Sequence, residues 1–200
     1  MKTYAFIDVQ NTSITTEKLL GFKVDLVRFY DFLRKDWGCD EVYLYTGFDK
    51  NDIELIEDLK TLKDNGCFVR AKEFCLYKNK DKRINIICPK CQNKFSNDVD
   101  MGYNKKANCD VDLTADAIGV VESGDEVFLF SGDGDFEYLV RKFVGNKTSV
   151  HIVSSAKKIR TSSSYFTSRF STKLRKLINE SGKPVNFIDI NNIKFKINRA

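Results

Sequence analysis

Two hundred residues, 42% apolar and 30% charged, suffice for one globular domain whose core needs no disulfide to hold it. No apolar run approaches the length that crosses a bilayer, and Met1-Lys2 lead straight into a strand-like segment instead of a signal peptide. A cytoplasmic protein without a membrane partner is therefore expected, and six cysteines in 200 residues are too sparse for a secreted disulfide scaffold. The formal charge of +5 is unevenly divided. Positions 156–200 hold eleven Lys or Arg against Glu180 and Asp189, a local net of +9 on a body of about −4. That division suits an enzyme with carboxylates beside a polyanion's path; a solvated basic helix face is the plainer alternative.

Thr3 to Asp8 (TYAFID) is a short apolar run ending in an acid, which predicts a buried first strand. Val24 to Lys35 repeats apolar residues near helical spacing and stops at Trp37-Gly38. Asp40 to Thr46, with VYLY, reads as a second strand. Asn51 to Asp64 is a helix with a polar start and an Asn65-Gly66 stop, and Cys67 to Ala71 a third strand. Leu76 to Lys106 breaks the rhythm: it is rich in Lys and Asn, carries Cys88-Pro89-Lys90-Cys91, and reads as an excursion from the core. A helix over Asp112 to Val121 and an apolar strand over Glu126 to Phe130 follow, the strand ending at Ser131-Gly132-Asp133. Asp135 to Phe143 is the next helix and Ser149 to Val153 a strand. Ser171 to Glu180 is an amphipathic helix, before two short apolar segments between Val185 and Ile197.

Alternating strands and helices, with strands apolar on both faces, predict an α/β fold with a mainly parallel sheet covered on both sides. The body spans 1–155 with a cysteine-containing insertion at about 76–106. A basic helix and short strands at 156–200 are expected to pack on the same domain. In such sheets the site lies beyond the carboxyl ends of the strands. Asp8 (FIDVQN) closes the first strand, Asp133 and Asp135 (SGDGDF) follow an apolar one, and Asp110, Asp112 and Asp116 (CDVDLTAD) open the central helix. Carboxylates gathered there repel one another unless a cation neutralises them, and oxygen-only donors point to Mg²⁺ or Mn²⁺. Gly132 and Gly134 permit a tight turn, while Asn11 and Ser131 supply uncharged hydrogen bonds around a ligating carboxylate. Asp116, six residues past Asp110, is expected on roughly the same helix face. The alternative reading makes these acids helix caps and surface charges, with Asp110 a cap and Asp112 a first-turn acid.

FIDVQN, KANCDVDLTAD and LFSGDGDF, in this order and setting, resemble the NYN domains, PIN-like proteins grouped with the cyanobacterial LabA protein. The resemblance covers about 1–155, with a looser match beyond. It implies a three-layer α/β/α PIN-like fold and Mg²⁺- or Mn²⁺-dependent hydrolysis of RNA. Its acids fall on Asp8, Asp110, Asp133 and Asp135 as catalytic and metal-holding residues, with Asp116 as a further metal ligand. Asp112 stands where the family is often uncharged and ranks behind them, with Asn11 and Ser131, as a supporting group. Val9 and Ala107-Asn108-Cys109 depart from the glycine-containing patterns usual at those places.

His151, the single histidine, lies in a strand and reads as structural, which disfavours histidine acid–base chemistry on a 2′-hydroxyl. Phosphate contacts are expected from Lys157, Lys158, Arg160, Arg169, Lys173, Arg175 and Lys176. Tyr165, Phe166 and Phe170 either stack on bases or fill the core. Cys88 and Cys91 form a zinc-knuckle-like pair, but a structural zinc site wants four ligands. Cys67 and Cys75 are the candidate second pair and Cys109 a further one; a redox dithiol or unligated thiols are the alternatives. Rival readings are a non-catalytic RNA-binding or protein-interaction adaptor, and a phosphatase, for which the DxDx(T/V) signature is absent. No GxGxxG follows the first strand, which disfavours dinucleotide binding. Self-association into a homo-oligomer stays open.

Overall fold

The computed structural model describes residues 1–160, 166–181 and 184–199. In chain order the elements are β1 (Thr3–Asp8), α1 (Val9–Thr15, continued by a π-helical turn Thr16–Leu20), α2 (Leu26–Lys35), β2 (Glu41–Phe48), α3 (Ile53–Asp64) and β3 (Phe68–Glu73). Four short strands follow: β4 (Cys75–Lys78), β5 (Lys82–Ile87), β6 (Lys94–Val99) and β7 (Tyr103–Lys106). Next come α4 (Asp110–Val120), β8 (Glu126–Phe130), a 3-10 turn Gly134–Phe136, α5 (Glu137–Gly145), β9 (Ser149–Ser154), β10 (Lys158–Arg160) and β11 (Phe166–Ser168). The chain ends with α6 (Thr172–Ser181), β12 (Val185–Asp189), a 3-10 turn Ile190–Ile193 and α7 (Lys194–Ile197).

Six strands form one all-parallel sheet in the order β12-β9-β8-β1-β2-β3. Side chains alternate across a strand, and in this sheet both faces are apolar. Ala5, Ile7, Val42, Leu44, Phe128 and Phe130 pack against α1, α2, α3 and the C-terminal Ile190, Ile193 and Ile197. Tyr4, Phe6, Tyr45, Val127, Leu129 and Ile152 face α4, α5 and α6. The result is the three-layer α/β/α arrangement of a PIN-like fold. The chain leaves β1 toward β2 and β3, then returns to place β8 on the other side of β1. The carboxyl ends of β1 and β8 therefore flank a topological switch point, where such sheets open a crevice.

Two boundaries shift for local reasons. Val24 is extended because it bridges to Asn198, and α2 starts only after Asp25, whose carboxylate accepts from the Arg28 N–H at 2.9 Å. α4 begins at Asp110, two residues earlier than its apolar pattern suggests, because the Cys109 carbonyl already accepts from Leu113 N–H at 2.9 Å. The excursion after β3 is a long antiparallel arm: β4 pairs with β7 at its base and β5 with β6 toward its tip. Among the described residues, no helix is long and apolar enough to cross a membrane.

Candidate active site

Asp8 ends β1 and caps α1 in the same step. One carboxylate oxygen accepts from Asn11 N–H at 3.0 Å, and the other accepts from the Ser131 hydroxyl at 3.1 Å. Ser131 Oγ in turn accepts from Asp133 N–H at 3.2 Å, and Asn11 Oδ1 accepts from Gly132 N–H at 2.9 Å. Asp133 closes the circuit by accepting from Asp135 N–H at 3.0 Å, which starts the 3-10 turn. Thr12, buried beneath, donates its hydroxyl to the Phe130 carbonyl at 3.1 Å. The turn after β1 is thus stitched to the turn after β8 across the switch point, and FIDVQN and SGDGD make one structural unit.

The electrostatics of this unit are those of acids crowded together and partly dried. Burial pushes the Asp8 carboxyl up to about 6, and Asp110 and Asp133 push the same way against the Asn11 and Ser131 hydrogen bonds. Asp110 is also raised, first by burial, then by Asp133 and Asp135, with Lys106 pulling the other way. Asp133 thus bears on both Asp8 and Asp110, and Asp135 on Asp110. Among the described residues no three His, Cys, Asp or Glu side chains converge as a finished ligand set. The fit to a cation rests on donor chemistry: hard oxygens whose mutual repulsion a divalent ion such as Mg²⁺ or Mn²⁺ relieves.

Two other acids of the central helix lie outside this group. Asp116 is gripped by the Arg70 guanidinium through both Nε and Nη2 and accepts the Tyr45 hydroxyl at 3.0 Å. At 3.6 residues per turn, six residues rotate a side chain by about 240°, so Asp116 faces β2 and β3 while Asp110 faces the crevice. The ion pair, with Tyr45 after it, holds its carboxyl below the usual range. Expected in the metal group, Asp116 is instead engaged with Arg70 and Tyr45. Asp112 pairs with Lys72 on β3, whose ammonium also donates to the Asn108 carbonyl at 3.1 Å, so it does not support the acids of the crevice either.

The segment 168–173 covers the turn after β8. Gly132 and Gly134 are small for this reason, and neither has the positive φ that a glycine-only turn requires. A Cβ on Gly132 would stand 2.9 Å from the Arg169 carbonyl and 2.7 Å from Ser154 Oγ, and one on Gly134 would collide with Ser171. An open groove of about 370 Å³ runs between these parts, lined by Asn11, Asp133, Asp135, Arg169, Ser171 and Lys173. A second cavity of about 300 Å³ beneath α1 is lined by Leu26, Leu55 and Phe74, and it meets the acids only through Gln10, Thr46 and Gly47. Its charged rim pairs internally, Lys23 and Arg199 with Glu54, and Arg199 with Asp58.

The seven expected phosphate-binding cations divide. Arg169 and Lys173 border the groove, and Lys158 and Arg160 are exposed on β10. Lys157 donates to the Leu19 carbonyl at 2.8 Å, and Lys176 is exposed beside Glu180 at 3.6 Å. Arg175 turns inward: its guanidinium lies 5.0 Å over the Phe170 ring and donates to Ser168 Oγ at 2.9 Å and the Ala156 carbonyl at 3.4 Å. It is a packing residue, and so is Phe170, 4% exposed against Phe187. Tyr165 and the Phe166 side chain lie outside the described residues. His151 stacks on Phe128 and hydrogen-bonds Glu126 at 2.8 Å, away from the acids.

The cysteines do not assemble. Cys67 is buried in the core, its thiol donating to the Val42 carbonyl at 3.4 Å, and Cys109 is buried against the Thr46 carbonyl at 3.5 Å. Cys75 is exposed at the base of the arm and Cys88 and Cys91 are at its tip, so the four-cysteine zinc set of 67, 75, 88 and 91 is not formed. Sequence reasoning also missed Ser171, Arg70 and Lys72. Each depends on a neighbour far along the chain, and no local pattern marks it.

The NYN domain family model matches residues 2–174. Over 88 residues the chain is 32% identical to the "Low amplitude and bright protein LabA" of Synechococcus elongatus, covering 43% of this chain and 47% of that one. The chain thus matches about half the length of this curated relative. A protein of unknown function from Vibrio parahaemolyticus shares the fold, with a TM-score of 0.59 at 21% identity over 94% of this chain and 92% of the other. A match across most of the chain, with its motifs joined at one crevice, places the protein in the NYN domain family, related to the PIN nucleases.

Proposed function

We propose that the chain is a ribonuclease that hydrolyses RNA phosphodiester bonds at the crevice between β1 and β8, with Mg²⁺ or Mn²⁺ held by Asp8, Asp110, Asp133 and Asp135. The observation that carries this reading is the acidic group itself, placed at a switch point beside a groove bordered by Arg169 and Lys173. When bound, the ion supplies charge stabilisation on the phosphate and activation of an attacking water. The chain's own groups do the rest. Asn11 and Ser131 fix the Asp8 carboxylate in one orientation. Arg169 and Lys173 attract the RNA backbone along the groove, and the N–H groups after β8 are engaged with Asn11, Ser131 and Asp133, which makes the turn rigid. The single histidine is committed to Glu126, so proton transfer falls to carboxylates and water.

The test is incubation of labelled single-stranded and structured RNA with the protein in Mg²⁺, Mn²⁺ or EDTA. Cleavage in metal that is lost in EDTA and in Asp133→Asn supports the proposal. RNA binding without cleavage in every metal favours the second reading, a non-catalytic adaptor, which the exposed cations of β10 also suit.

A further inference from the structure

The arm from β4 to β7 leaves the core as a two-stranded ribbon, an element that is marginal in water by itself. Its outer half has two unlike faces. In the β5–β6 register, Lys82 faces Val99, Ile84 faces Asn97 and Ile86 faces Phe95, and these pairs share one side of the ribbon. Ile84, Ile86, Phe95 and Val99 are 40%, 39%, 53% and 37% exposed there. The other side carries Arg83, Asp98, Asn85, Ser96 and Lys94, with Ile87 as its one large apolar residue.

The tip carries Cys88 and Cys91 in one turn. Cys88 N–H donates to the Asn93 carbonyl and Gln92 N–H to the Cys88 carbonyl, both at 2.9 Å, and Gln92 takes a φ of 59°. This tight turn brings the two thiols together. Tetrahedral zinc needs two more ligands. Within one chain they are out of reach. Cys39, Cys67 and Cys109 are buried in the core, His151 is committed in the sheet, and Cys75 lies at the base of the arm, with the β4–β7 and β5–β6 ladders between it and the tip.

We propose that the arms of two copies of this chain pack through the faces bearing Ile84, Ile86, Phe95 and Val99, and bind one zinc ion between their tips through Cys88 and Cys91 of each copy. A two-fold axis through the ion makes both contacts self-complementary: each copy supplies two thiolates and the same apolar stripe. Each observation stands without the other, and a second copy would complete both. The site stands apart from the acids at the crevice and does not depend on their chemistry.

The experiment uses the full chain, purified in reductant with zinc, then freed of loose metal. Elemental analysis with light scattering is expected to give one zinc per two chains and twice the 23.0 kDa chain mass. Cobalt in place of zinc is expected to show the absorption of a four-thiolate tetrahedral centre. A strong zinc chelator, or Cys91→Ser, returns the monomer, and Phe95→Lys weakens the dimer at least tenfold with the fold intact by circular dichroism. Asp133→Asn keeps both zinc and dimer. One zinc per monomer, no retained zinc, or a dimer indifferent to chelator and to Cys91→Ser would overturn the proposal.

Discussion

Replacing Asp8 by Asn separates the cost of the acidic crevice from its use. In the folded protein the carboxyl stands near 6, against 3.8 in an open chain. A raised acid binds its proton more tightly when folded, so the stability it lends is complete below 3.8 and is lost as the pH climbs from 3.8 to about 6. About two pKa units at 1.4 kcal/mol each make ionised Asp8 a liability of about 3 kcal/mol at neutral pH. Asparagine keeps an oxygen for Asn11 N–H and carries no charge. In urea titrations with EDTA, Asp8→Asn is expected to exceed the wild type by up to about 3 kcal/mol at pH 7.5, roughly 6–12 °C in Tm for a domain of this size. At pH 4 the gain should disappear. Adding Mn²⁺ at pH 7.5 should raise the wild type and leave the variant unmoved. A variant destabilised equally at both pH values would refute the reasoning, because it would make Asp8 a packing group and not a strained charge.

Other substitutions divide the surrounding residues by role. Arg169→Ala and Lys173→Ala should each weaken RNA binding and lower the slope of log affinity against log salt by about 0.7, measured by fluorescence anisotropy. Arg175→Ala should instead cost about 1–3 kcal/mol in denaturant stability, since it strips a cation from Phe170 and hydrogen bonds from Ser168 and Ala156. Gly132→Ala forces a methyl against the Arg169 carbonyl and should cost about 1–3 kcal/mol while raising KM for RNA, read from melting curves and steady-state cleavage. Asp116→Asn should leave cleavage within a few-fold of wild type, because that carboxylate serves Arg70 and Tyr45; loss of activity comparable to Asp133→Asn would return it to the metal group.

The sheet and the crevice were legible because their signals are local. TYAFID, VYLY and EVFLF are apolar on both faces, as strands of a covered parallel sheet are, and two of the acids stand at strand ends. Helix phase was harder. Six residues turn Asp116 about 240° from Asp110, onto a different helix face, and the position of β3, which brings Arg70, fixes the partner it meets there. The role of Gly132 and Gly134 also escaped local reading, since their need for space comes from Arg169 and Ser171, more than thirty residues away. The basic tail misled in part: Arg175 counts as a charge in the sequence, yet its ring and carbonyl partners make it a packing residue. The cysteine set failed for a similar reason, because Cys67 is buried just before the edge strand β3 and Cys88 sits at the end of an arm whose length no motif announces.

The proposed function needs one crevice whose four carboxylates hold a divalent ion. It is tested most directly by anomalous diffraction from crystals soaked in Mn²⁺. A peak bounded by the carboxylates of Asp8, Asp110, Asp133 and Asp135, and absent in Asp8→Asn, is expected. A peak at Asp112 or Asp116, or none in wild-type crystals at saturating Mn²⁺, would contradict it.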